Sequence, residues 1–99
     1  MAFVQIIECE TSKIDDVKRL TSEWEEATQG KRTARRAVLG HDPERSEHFY
    51  EMVFFDSSDE AARNSELPET QEFARKLTDL LGREPTFRNI EVIEDHDLA

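Results

Sequence analysis

The sequence predicts an α+β fold, a β-α-β-β-α-β plait around a four-stranded antiparallel sheet, and three observations lead there. Two short runs, "FVQIIEC" and "FYEMVFFD", are apolar on both alternating faces, as strands covered on both sides are. Two longer stretches repeat apolar residues at helical spacing. The glycines and prolines fall at the joints between these segments.

The first strand spans residues 3 to 9, with Val4 and Ile6 on one face and Phe3, Ile7 and Cys9 on the other. Ser12 followed by Asp15 resembles a capping box, and Ile14, Val17, Leu20, Trp24 and Ala27 then keep a helical period that ends near Gly30. From Thr33 to His41 the pattern is extended, and "GHDPER" reads as a turn. The strand after it places His48, Tyr50, Met52 and Phe54 on one face and Phe49, Glu51, Val53 and Phe55 on the other. These two strands form a hairpin.

Ser57 and Glu60 make a second capping box and open a short helix. "RNSELPET" interrupts it, with Asn64 at the break and Pro68 tolerated in the first turn of the helix that follows. Phe73, Leu77, Leu80 and Leu81 hold helical spacing until Gly82, so the second helical segment is split in two. "PTFRNIEVIED" is the last strand, running into an acidic end. The order is that of a ferredoxin-like plait, first and third strands central, helices on one face. The other face would be bare in a monomer, and packing the sheets of two protomers into a barrel covers it. Residues 1–95 are expected to form one domain and 96–99 a short acidic tail.

A net charge of −10, with charged residues at 36%, disfavours nucleic acid and anionic membranes as partners. The basic run Lys31, Arg32, Arg35 and Arg36 and the acidic stretch Glu91 to Asp97 are either mutually attracting segments or two solvated edges. The single cysteine, Cys9, excludes an internal disulfide and reads as a buried thiol. No Cys/His cluster has zinc-ligand spacing, and no glycine-rich phosphate loop or nucleophile elbow is present, so neither metal nor cofactor is expected. "MAFVQIIECE" lacks the basic lead of a signal peptide, and no run has transmembrane length, which points to the cytoplasm.

The element order, the strand and serine-capped turn "FYEMVFFDSSDEAARNS" and the helix opening "LPET" together resemble the dimeric α/β-barrel superfamily, within it the small antibiotic-biosynthesis-monooxygenase-like domains. The resemblance spans residues 3 to 94. It implies a homodimer, a pocket between sheet and helices, and the possibility of cofactor-independent oxygenation of an aromatic or quinol-like substrate. Haem-degrading relatives carry an asparagine on the first strand and a histidine on the helix after the third. Here Gln5 stands on the first strand and residues 57 to 81 hold no histidine, so that pattern is not met.

Candidate catalytic residues are Tyr50, Glu51 and His48. A histidine beside a tyrosine can act as base and positioning phenol, although histidines near a hairpin end are commonly solvated. Glu51 inside an apolar strand must be paired, with Arg35 or Arg36 across the hairpin, or held as a raised-pKa acid or base in a cavity. Trp24, Phe54, Asn64, Phe73 and Gln5 are the candidate substrate-binding residues. The aromatic ones serve equally well as core. A non-catalytic binding or structural dimer is the alternative function.

Overall fold

A computed structural model describes residues 2–99. Among them the order is β1 (Phe3–Glu10), α1 (Ile14–Ala27), β2 (Arg36–Asp42), β3 (Arg45–Phe55), α2 (Ser58–Glu66), α3 (Pro68–Leu81) and β4 (Thr86–Glu91). The sheet is four-stranded with order β2-β3-β1-β4, and every neighbouring pair is antiparallel. The two strands with the densest apolar runs are therefore the central ones. Residues 92–99 carry no helix or strand, though the Val92 N–H still donates to the Ala2 carbonyl at 2.9 Å.

Register decides which side chains share a face. Gln5 pairs with Val53, Ile7 with Glu51 and Cys9 with Phe49, so these odd-numbered residues lie together beneath the helices. Two buried clusters occupy that side. Ile7, Val17 and Leu77 join β1 to α1 and α3, while Val53, Phe55 and Ala61 join β3 to α2. Val17 and Leu77, each only 2% exposed, are the most fully buried apolar side chains among the described residues, at the β1–α1–α3 contact.

The opposite face carries Val4, Ile6, Val38, Met52, Phe54 and Ile90 with nothing packed on it. The molecule is accordingly a slab of 34 × 34 × 21 Å, one sheet layer and one helix layer thick.

Helix ends follow local chemistry in two places and depart from it in one. Ser57 is the N-cap of α2, its Oγ accepting from the Glu60 N–H at 3.2 Å. Gly82 ends α3 in the left-handed conformation, φ 73°, its N–H bonded to the Thr78 carbonyl. The capping box expected at Ser12 does not form. Lys13 holds the N-cap position of α1, and Thr11 Oγ1 accepts from the Lys13 N–H at 2.9 Å. A threonine one residue upstream bends the chain before the serine can reach the helix.

The basic run has partners of its own near β2 and α3. Lys31 pairs with Glu69 and Arg35 with Asp56, and the Arg36 guanidinium lies 5.7 Å from the Phe54 ring centre. None of these reaches the acidic end among the described residues.

Candidate functional site

Beneath the helices, β1, β3, α1, α2 and α3 enclose a chamber of about 40 Å³, lined by Gln5, Ile7, Thr21, Trp24, Glu51, Val53, Asn64, Thr70 and Phe73. That is room for a few waters. Strand alternation delivers Gln5 and Glu51 to its floor. Trp24 and Thr21 come from one side of α1, three residues apart, and Phe73 and Thr70 from the matching side of α3.

The polar groups are unevenly satisfied. Trp24 Nε1 donates to Thr70 Oγ1 at 2.9 Å, a tie between α1 and α3. Gln5 Nε2 donates to Asn89 Oδ1 at 3.4 Å. Asn64 is 5% exposed, yet its Oδ1 is buried without a hydrogen-bond partner. A native structure rarely leaves such an acceptor empty, and one that lines a cavity is poised to receive a donor from whatever enters.

Glu51 is the group with the clearest electrostatic signature. Burial raises its pKa from the ordinary carboxylate range, a Thr21 hydrogen bond opposes the shift, and the charge of Glu25 adds to it. The Thr21 hydroxyl lies 3.4 Å from Glu51 Oε2. The expected arginine partner is absent: Leu39 stands opposite Glu51 on β2, Arg35 meets Asp56, and Arg36 projects from the other face over Phe54. Glu51 thus faces the chamber with a single hydroxyl donor.

Four of the five candidate binding residues, Gln5, Trp24, Asn64 and Phe73, meet in this chamber together with Glu51. Phe54 does not. It pairs with Val4 in β1 and with Arg36 in β2, which places it on the bare face of the sheet. His48 and Tyr50 share that face, so the candidate catalytic trio is divided by the sheet, Glu51 on one side and the other two across it. Asn64 lies within α2, not at the break, which falls at Leu67.

On the bare face, His48 Nε2 lies 3.5 Å from Glu8 Oε1, Arg88 Nη2 lies 3.6 Å from Glu8 Oε2, and the His48 and Tyr50 rings are 5.2 Å apart. The His48 hydrogen bond, outweighing a smaller burial effect, holds the Glu8 carboxyl below its ordinary pKa. Thr21 and Thr70 were missed as candidates from the sequence. Only their helical offset from Trp24 and Phe73 signals them, and that offset identifies a site only once the chamber is known.

Fold and site together define a small ferredoxin-like α+β protein with a polar-floored, aromatic-walled chamber between sheet and helices. No protein-family model matches the chain, and no curated protein matches it. Solved structures do match. A conserved protein from Methanosarcina mazei Go1 has a TM-score of 0.77 at 12% identity, covering 91% of this chain and 91% of that one. A protein from Nitrosomonas europaea named "putative antibiotic biosynthesis monooxygenase" has a TM-score of 0.74 at 14% identity, covering 93% of this chain and 90% of its own. Another of that name, from Deinococcus radiodurans, has a TM-score of 0.76 at 13% identity, covering 100% and 99%. At these identities the likeness is one of fold. This chain has the fold of the small antibiotic-biosynthesis-monooxygenase-like domains.

Proposed function

We propose that this protein is a cytoplasmic homodimer that binds a small aromatic, quinol-like molecule in the chamber and oxygenates it without a cofactor. The observation that carries this reading is the meeting of an unpartnered Asn64 Oδ1 and a desolvated Glu51 in a chamber also lined by Trp24 and Phe73. Aromatic walls hold a flat ring, Asn64 accepts a ring hydroxyl, and Glu51 takes a proton. A carboxylate whose proton affinity is raised by burial is a stronger base than one in water. The deprotonated ring is electron-rich enough to reduce dioxygen directly. In the balanced reaction one ring C–H becomes C=O, the phenolic C–OH becomes the second C=O of a quinone, one oxygen atom of O₂ enters the product, and the other leaves as water with the two hydrogens lost. All four electrons come from the substrate.

His48 and Tyr50 take no part in this scheme. They belong to the face on which the second protomer packs, where Val4, Ile6, Met52 and Phe54 supply the apolar surface and the Glu8 cluster the polar one.

One observation favours a non-catalytic module instead: a chamber of about 40 Å³ holds no aromatic ring as it stands. Oxygen uptake separates the two readings. Phenols and quinols that raise the melting temperature should consume oxygen with the native protein, and Glu51→Gln should lower the rate about 100-fold or more, the usual worth of a general base. Binders with no oxygen uptake would establish the module, and a complete absence of binders would remove the small-molecule reading.

A further inference from the structure

The chamber has a neighbour. On the outer side of α1 and α3 lies an open groove of about 280 Å³, floored by Leu20, Ala27 and Pro68. Trp24 and Phe73 line both spaces, so these two side chains are the wall between them. The groove and the chamber joined would reach the volume of roughly 300 Å³ at which small-ligand sites begin. Both side chains are only partly buried; Phe73 packs against the Ile7–Val17–Leu77 cluster, and Trp24 does not.

The tryptophan half of the wall is lightly held. Trp24's backbone is firmly tied, because Thr28 Oγ1 donates to its carbonyl at 2.6 Å and Thr28 is fully buried. Its indole is restrained by one hydrogen bond, to Thr70, and is flanked by the exposed Arg32 guanidinium at 5.9 Å. Thr70 sits in the first turn of α3, whose N-cap, Leu67, makes no side-chain capping bond. First turns without such a bond are the least stable part of a helix.

Resting on the chamber reading above, we propose that Trp24 and Phe73 form a movable partition, and that the groove between α1 and α3 admits an uncharged aromatic molecule bearing a hydrogen-bond donor. The charge follows from the groove's lining. Glu23, Glu69 and Glu72 contribute three carboxylates and Lys76 the one cation, itself paired with Glu23, so an anionic ligand would meet a negative wall. The donor follows from two buried oxygens without partners, Asn64 Oδ1 inside the partition and Glu69 Oε1 at the groove.

Trp24 is the only tryptophan, so its fluorescence reports on the partition directly. Stopped-flow quenching by 1-naphthol, naphthalene and 1-naphthoate tests the proposal on the full chain, with circular dichroism checking that each variant is folded. 1-Naphthol should quench saturably, naphthalene should bind about tenfold more weakly for want of the hydrogen bond, and 1-naphthoate about 100-fold more weakly. Asn64→Leu, or Asn64→Ala if the first fails to fold, should reduce 1-naphthol to the affinity of naphthalene. Thr70→Val should speed association about fivefold, the effect of releasing one neutral hydrogen bond. An unchanged association rate in Thr70→Val, with the Asn64 effect intact, would overturn the partition and leave the chamber standing. Equal binding of 1-naphthoate would overturn the charge selection. Indifference of 1-naphthol to Asn64 substitution would overturn the chamber and the partition together.

Discussion

Glu51 is the residue at which burial and function pull against each other. Its folded pKa is raised, so between the ordinary carboxylate value and the raised one the native state holds a proton that the unfolded chain has released. Stability therefore falls as pH rises through that window, and the full penalty persists above it. Glu51→Gln removes the penalty. The variant should melt higher than the native protein at pH 7 to 8, and the gain should shrink toward pH 4, where both carry a neutral group; thermal denaturation across that range checks it. Cys9 makes a second case. It is 9% exposed, and burial first, then the charge of Glu51, raises its pKa. At pH 8 a disulfide reagent should label it more slowly in the native protein than in guanidinium, since burial both shields the thiol and disfavours the reactive thiolate.

At the scale of elements, caps set the lengths of the helices that roof the chamber. A Cβ added at Gly82 meets no atom within 4 Å, so Gly82→Ala costs only the strain of the left-handed backbone. That is about 1 kcal/mol, measurable as a shifted denaturant midpoint with unchanged slope. Ser57→Ala should cost a similar amount, about 1 kcal/mol, by removing the bond to the Glu60 N–H at the start of α2. The stretch "RNSELPET" divides α2 from α3, and its consequence is positional. Ending α2 after Glu66 leaves Asn64 facing inward one turn before the break, and restarting at Pro68 brings Thr70 within reach of Trp24.

The whole molecule is a two-layer slab with one covered sheet face and one bare one. Light scattering should give a dimer, and Ile6→Glu with Phe54→Glu should give a monomer that keeps its helical content, because the buried clusters lie on the opposite face. A monomeric native protein would leave half-buried Val4, Ile6 and Met52 without an account.

The element order, the hairpin, the central position of the first and third strands and the split second helix were all legible in the sequence, because each depends on local periodicity and on glycine or proline at a joint. Alternation likewise separated His48 and Tyr50 from Glu51. The partner of Glu51 was not legible. Which residue of β2 lies opposite it depends on the turn and on a register shift at His41/Asp42, and that choice put Leu39 there in place of an arginine. Phe54 was expected in the chamber, although alternation sets it on the face opposite Glu51; one chamber could take only one of them, and the side on which the helices pack gave it to Glu51. The chamber itself depends on the distance at which α1 and α3 pack over the sheet. No single segment encodes that distance, so only the tertiary structure decided that Trp24, Thr70, Asn64 and Glu51 would meet.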